Sequence, residues 1–164
     1  QKNMLVWFDP NLRPPPWPGR EEMISCMNDM AGKSDIFMPG INEAKLLTGE
    51  TSPEAIARTY LAMGSKTVII KLGSDGAYYA TNAECGYVKG YPVNKIVDTV
   101  GAGDGFAAGV LSALQDDLPL KEAVRRGNAV GAIQIMSRGD NDGLPTLKEM
   151  TDFLNNEPEW RKQS

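Results

Sequence analysis

The segment Asp98-Thr99-Val100-Gly101-Ala102-Gly103-Asp104-Gly105-Phe106-Ala107-Ala108-Gly109 constrains the fold more than any other stretch of this chain. An apolar, β-branched run leads into it, small residues fill its middle, and Phe106, Val110 and Leu114 follow at helical spacing. A strand that turns at once into a helix needs small residues at the turn. The first amides of such a helix have no acceptors of their own, and with the positive end of the helix dipole they form a place for an anion. Asp104 falls in the first turn of that helix, which is expected from about Asp104 to Leu114. Taken alone, it is a capping residue. Taken with the anion site, it is a carboxylate placed to accept a proton from a hydroxyl while the amides of Ala102, Gly103 and Asp104 hold the phosphoryl oxygens. The glycines Gly101, Gly103 and Gly105 lack the sixth-place glycine of a dinucleotide fingerprint, and no GxxxxGK[ST] loop occurs.

The rest of the chain reads as strands alternating with helices. Met4 to Phe8 has the pattern of a buried strand with no leading turn, as expected of a chain that begins inside a fold. The proline-rich stretch Asp9 to Gly19 is a loop. Met23, Ile24, Met27 and Met30 predict a helix from Arg20 to about Ala31, with Gly32 as its stop, followed by a strand at Asp35–Met38. Helices are expected at Asn42–Thr48, closed by Gly49, and from Pro53, capped by Ser52, to Met63 before Gly64. Thr67–Lys71 is a strand, Ala77–Ala80 and Gly86–Lys89 an antiparallel hairpin, and Val93–Val97 a further strand. Helices at Leu120 to about Met136 and Thr146–Leu154 complete the pattern. Ala107, Ala108 and Gly109 are expected to let their helix approach the sheet closely. The sum is an α/β layered fold with a mostly parallel sheet and an antiparallel hairpin at one edge, spanning residues 1–154, with a polar tail at 155–164 in which Trp160 is the candidate docking residue.

Composition narrows the chemistry. Seventeen basic against 21 acidic side chains give a net charge of −4, so no positive field gathers nucleic acid or an anionic membrane. The absence of histidine removes every imidazole base and histidine metal ligand, which leaves carboxylate, Lys, Tyr or Cys for proton transfer. Cys26 and Cys85 have no metal-ligand spacing and read as small, partly buried thiols of a reducing cytosol. With no long apolar run, the expected location is cytoplasmic.

The twelve-residue string at Asp98–Gly109 strongly resembles the C-terminal signature of the ribokinase/PfkB family of carbohydrate kinases. Further motifs resemble the family in the right order. Asp9-Pro10-Asn11-Leu12-Arg13 followed by Trp17 is similar to the acceptor loop of the 2-keto-3-deoxygluconate kinase and fructokinase branches, and Asn42 to Gly49 to the family's Asn-x-x-Glu region. Lys71-Leu72-Gly73-Ser74-Asp75-Gly76 is similar to its nucleotide loop, and Asn128 matches a position beside the adenine. The closing Gly139 to Pro145 is similar to the same kinase branch.

The resemblance implies a three-layer α/β/α ribokinase-like fold from which the N-terminal half and its lid are absent. It implies ATP with Mg2+, and K+ in some members, a small sugar or sugar-acid acceptor, no nucleic acid or membrane partner, and a homo-oligomer for the full-length protein. It further implies Asp104 as catalytic base beside Gly101, Ala102 and Gly103, and Asn11 and Arg13 at the acceptor, with Arg13 also near the transferred phosphate. Lys71, Gly73, Ser74, Gly76 and Asn128 would bind nucleotide, Glu43 magnesium through water, and the Asp98 carboxylate and the Val100 carbonyl, with carbonyls of the Arg138–Asp140 loop, a monovalent cation.

Each of these residues also has a plainer reading. Asn11 is a turn former and Arg13 a solvated charge; Glu43 favours a helix dipole; Lys71 ends a strand ahead of a turn; Asn128 is an exposed helix residue. Gly40 stands where the family motif has asparagine, with Asn42 as substitute. Three functional readings follow: a sugar kinase, for 2-keto-3-deoxygluconate or for fructose; an inert ATP-binding module or truncated product; and a dinucleotide enzyme, which the missing glycine disfavours.

Overall fold

The computed structural model describes residues 4–13, 17–93, 95–139 and 143–156. The chain divides into two compact units, Gln1–Val88 and Lys89–Ser164.

The first unit is built on a five-stranded sheet in sequential order, β1 (Trp7–Phe8), β2 (Ile36–Phe37), β3 (Thr67–Lys71), β4 (Ala77–Thr81) and β5 (Cys85–Val88). β1, β2 and β3 run parallel, whereas β3–β4 and β4–β5 are antiparallel. The sheet is therefore mixed: three parallel strands carry the antiparallel hairpin β4–β5 at one edge, as the sequence pattern predicts. Parallel neighbours need crossovers, and these are the helices α1 (Arg20–Lys33), then α2 (Ile41–Thr48) and α3 (Pro53–Met63). Strand β3 is β-branched throughout its centre, and its register pairs Val68 with Ala80 and Ile70 with Tyr78. Phe37, Val68, Ile70, Tyr78 and Ala80 thus share one face, where they pack with Ala31, Leu47, Ile56, Ala57 and Tyr60 from the three helices. Ile36, Ile69 and Tyr79, on the opposite face, are buried as well.

The local signals act as their chemistry requires. Ser52 Oγ accepts the Ala55 amide at 3.2 Å, Pro53 opens α3, and Gly49 closes α2 at φ 76°. Gly32 behaves differently from expectation: α1 runs through it to Lys33. A Cβ on Gly32 would stand 2.8 Å from the Met63 carbonyl, so glycine serves the close approach of α1 to the end of α3 rather than a stop. The Met4–Phe8 run contributes only two strand residues and is exposed from Met4 (81%) to Trp7 (44%), contrary to the buried strand its composition suggests, whereas Phe8 is half-buried against the core. Both cysteines are exposed rather than partly buried.

The second unit comprises α4 (Ala102–Gln115), α5 (Leu120–Gln134) and α6 (Leu147–Asn155), the last capped by Thr146 and Glu149 in a capping box. No strand forms among its described residues. The expected strand at Val93–Val97 is an irregular segment, because the Val97 amide donates to the Ile135 carbonyl at the end of α5 instead of to a neighbouring strand. Asn94 of that segment lies outside the described residues, as do the Pro14–Pro16 stretch, the Asp140–Asp142 part of the closing loop and Trp160. Gly109 of α4 serves a close helix–helix contact: a Cβ on it would come within 2.8 Å of Gly127 Cα, and one on Gly127 within 2.9 Å of the Phe106 carbonyl. Glycines on both sides let α4 and α5 meet backbone to backbone, while Ala108 is exposed. Among the described residues no helix is long and apolar enough to cross a membrane.

Candidate active site

In the second unit, the glycine turn precedes α4 as the sequence requires. Gly101 is the N-cap, at φ 78°, a left-handed conformation that glycine adopts without strain. The Ala102 amide reaches back to the Thr99 carbonyl at 3.4 Å and the Gly105 amide to Gly101 at 2.8 Å. Between them the amides of Gly103 and Asp104 have no acceptor among the described residues. The open donors are thus two, and Ala102 is turned partly inward. Asp104 is exposed in the first turn, and its side chain makes no capping bond.

Helix α5 holds this turn in place. The amides of Val97 and Asp98 donate to Ile135 at 2.8 and 3.3 Å. Asp98 Oδ1 then accepts the Val100 amide at 3.0 Å and Oδ2 the Gly139 amide at 3.4 Å. The buried Gln134 donates through Nε2 to the Gly139 carbonyl at 2.9 Å. Asp98 therefore splints the turn to the loop after α5. The Val100 amide, followed by that of Gly139, holds the Asp98 carboxyl below its ordinary pKa of 3.8. A group with a depressed folded pKa stabilises the fold above its ordinary value, and that stabilisation is lost as pH falls through the folded value. A carboxyl-carbon NMR titration is expected to place the Asp98 midpoint below 3.8, and Asp98→Asn to abolish the matching pH dependence of stability. A midpoint at or above that value would show the splint to be absent.

Asn128 is 8% exposed, not a surface residue, and its Nδ2 donates to the Lys89 carbonyl at 3.3 Å. It fastens the segment after β5 onto α5.

In the first unit, the carboxyl ends of the three parallel strands carry the remaining candidates, at the edge where open α/β sheets bind ligands. Asp9 follows β1, Gly40 follows β2 and bridges to Lys71, and Lys71 ends β3. Lys71 Nζ is paired with Asp9 Oδ2, and the two side chains are only 17% and 13% exposed. Asp9 Oδ1 is buried with no hydrogen-bond partner of good geometry among the described residues. Burial is the largest influence on the Asp9 carboxyl and raises its pKa, against the lowering by Lys71. Glu43, at the third position of α2, accepts the Leu12 amide on Oε1 and the Gly40 amide on Oε2, each at 2.7 Å. The missing asparagine at position 40 is thereby explained in part, since only the backbone of Gly40 is used. Asn11 stands at φ 38°, uncommon for a residue with a side chain, and exposed Arg13 bonds the Leu12 carbonyl at 3.2 Å. Gly73, Ser74 and Asp75 form a short exposed helical turn, closed by Gly76 at φ 100°.

The structure thus brings Asp9, Glu43 and Lys71 onto one loop, and Asp98, Val100 and Gly101 onto one turn. Asp9 itself was not singled out as a site residue by the sequence, where the resemblance carried over only its neighbours Asn11 and Arg13. Among the described residues, no three acidic or cysteine side chains gather as a metal cluster.

Residues 1–147 match the model of the pfkB family carbohydrate kinases, and the chain belongs to that family. It is 53% identical over 149 residues to 2-dehydro-3-deoxygluconokinase of Bacillus subtilis, covering 91% of this chain and 46% of the relative. Among solved structures, a PfkB protein from Polaromonas sp. JS666 matches with a TM-score of 0.78 at 46% identity, over 93% of this chain and 46% of that one. A putative ribokinase II from E. coli, in complex with ATP and Mg2+, matches with a TM-score of 0.82 at 32% identity, over 93% and 49%. The fold is ribokinase-like, and the chain spans about half the length of the proteins it matches.

Proposed function

We propose that this chain is the nucleotide-binding and catalytic portion of an ATP-dependent kinase that phosphorylates a primary hydroxyl of 2-dehydro-3-deoxygluconate. The observation that carries the reading is the start of α4, where two amides without acceptors and an exposed carboxylate follow a glycine held at φ 78°. Asp104 takes the proton of the acceptor hydroxyl, whose oxygen then bonds the γ-phosphorus as the bond to the bridging oxygen breaks and ADP leaves. The Gly103 and Asp104 amides and the helix dipole balance the charge on the phosphoryl oxygens. In the same reading Asn11 and Arg13 would serve the acceptor, and the Gly73–Gly76 turn would serve the nucleotide.

Magnesium chemistry would accompany the phosphates. Glu43 already accepts one amide on each oxygen, so any contribution from it would be through water and the remaining lone pairs. The Asp98 carboxylate and the Val100 carbonyl would offer oxygens to a monovalent cation. The solved structure of a fructokinase from Vibrio cholerae is described as bound to fructose, ADP and potassium ion.

The keto-deoxy acid is preferred over fructose because the identity to the Bacillus enzyme is 53%, against 32% to a probable fructokinase of Arabidopsis thaliana. ADP release measured with Mg-ATP and a panel of 2-dehydro-3-deoxygluconate, fructose and ribose tests this. The expected result is a kcat/KM for the keto-deoxy acid at least about 10-fold above the others, because an acceptor lacking the carboxylate leaves the polar groups that would pair it without a partner. Equal or greater efficiency with fructose overturns the substrate. Mg-ATP binding without turnover of any acceptor identifies a nucleotide-binding module.

A further inference from the structure

Lys71 and Glu43 stand in different motifs, one in the apparent nucleotide loop and one in the apparent magnesium motif. Their side chains nevertheless end on the same segment. Lys71 is paired with Asp9, the first residue of the 9–13 loop, and Glu43 accepts the amide of Leu12, three residues further along. The loop is held at both ends of a four-residue span, and Asn11, the residue in the left-handed region, lies inside it. A strained residue persists only where its surroundings over-determine it.

The burial of the pair decides what Lys71 can do. A lysine that is 17% exposed and matched to a carboxylate is electrically close to neutral as a unit, and it is not a spare cation for polyphosphate. Its partner cannot be given up cheaply either. Asp9 Oδ1 is already buried without a donor of good geometry, so withdrawing the ammonium would leave a buried carboxylate with no cation beside it and only the Asn11 backbone amide to support it. The same end of Lys71 is fixed through the backbone, where its amide donates to the Pro39 carbonyl at 2.9 Å and Gly40 bridges to it. Gly40 in turn donates to Glu43. Asp9, Gly40, Glu43 and Lys71 thus form one connected frame over the carboxyl ends of β1, β2 and β3.

We propose that Lys71 and Glu43 are positioning residues for the acceptor loop, acting through the Asp9 carboxylate and the Leu12 amide to hold Asn11 and Arg13 in place. This rests on the acceptor role assigned above to Asn11 and Arg13. It moves Lys71 from the nucleotide to the acceptor side of the reaction.

The test is made on Lys71→Met and Asp9→Asn, with Lys71→Arg as the charge-keeping control and Glu43→Ala as the second anchor. Hydrogen exchange followed by NMR reports the loop, and the KM values for 2-dehydro-3-deoxygluconate and Mg-ATP report its use. Lys71→Met and Glu43→Ala are each expected to speed exchange of the Leu12 amide on the order of 10-fold, with the Ile69 amide inside β3 unchanged. For Lys71→Met the acceptor KM should rise on the order of 10-fold while that for Mg-ATP stays within about 2-fold, because misplacing a binding group weakens only what it binds. Lys71→Arg should recover most of both effects. Should Lys71→Met fail to fold, Asp9→Asn keeps the same expectations. A raised KM for Mg-ATP with the acceptor KM unchanged, or an unaltered Leu12 amide, overturns the proposal. If the parent protein turns over no acceptor, the kinase reading itself fails and the acceptor role falls with it, and exchange at Leu12 then decides the frame alone.

Discussion

Replacing Asp104 by Asn is expected to lower kcat by about 10²- to 10⁴-fold, the range that a positioned general base contributes, while the affinity for Mg-ATP changes by no more than about 2-fold. Asparagine keeps the shape of the side chain and can still accept a hydrogen bond, but it cannot take a proton at neutral pH. Few other groups can replace it. The chain has no histidine, and the nearest carboxylate in sequence, Asp98, is committed to the Val100 and Gly139 amides.

The competing role for Asp104 is that of an acidic residue favouring the helix dipole. Its value at an exposed first turn is about 0.3–1 kcal/mol, which as a change in rate amounts to less than about 6-fold. The two roles therefore differ by well over an order of magnitude, and the same variant separates them. Single-turnover measurement with saturating Mg-ATP isolates the chemical step from nucleotide release. A rate reduced less than about 6-fold, with a lowered melting temperature, assigns Asp104 to the helix and not to the chemistry.

Much of the fold was legible because its signals are local. Ser52-Pro53 opened α3, Gly49 closed α2, and the β-branched run Thr67–Lys71 is a strand over its predicted length. What the sequence concealed depends on distant partners. Val93 to Val97 has the composition of a strand, but Val97 donates to the end of α5, and β-propensity expresses only fitness for a pleated surface that must be present. Gly32 looks like a helix stop because glycine marks helix ends and close helix contacts with the same letter; only the Met63 carbonyl 2.8 Å from its missing Cβ distinguishes them.

The site divides in the same way. The Gly101–Asp104 turn is contiguous, so its open amides could be read directly, except that of Ala102, which reaches back to the Thr99 carbonyl. Lys71 and Asp9 are 62 residues apart, and neither motif names the other. Asn128 is polar on a helix with few other marks, and its burial against the Lys89 carbonyl follows from where the segment after β5 runs.

Gly127→Ala and Gly109→Ala are expected to destabilise the protein by about 2 kcal/mol each, the reverse of what helix propensity alone requires. Alanine in place of an interior helical glycine ordinarily gains about 1 kcal/mol. Here a Cβ at 127 would meet the Phe106 carbonyl at 2.9 Å and Val110 Cγ2 at 2.7 Å, and a Cβ at 109 would meet Gly127 Cα at 2.8 Å and the Arg126 carbonyl at 2.9 Å. Val110 can shift, but three of these four atoms are backbone, so α4 and α5 must move apart. Overpacking of that kind costs about 1–3 kcal/mol and more where no rotamer relieves it, which outweighs the propensity gain. Gly105 provides the contrast. Its Cβ would find only side-chain atoms, the nearest at 3.4 Å, so Gly105→Ala should be neutral or slightly stabilising. Chemical denaturation of the three variants measures the series. Because both tight glycines lie on one seam, the double variant should lose less than the sum, the separation having been made once. The function should follow the stability, since parting the helices moves the Gly103 and Asp104 amides relative to the Asp98 splint that α5 anchors. Gly109→Ala should therefore weaken Mg-ATP binding while Gly105→Ala leaves it unchanged, and equal affinities in the two folded variants would show that the turn does not depend on the glycine seam.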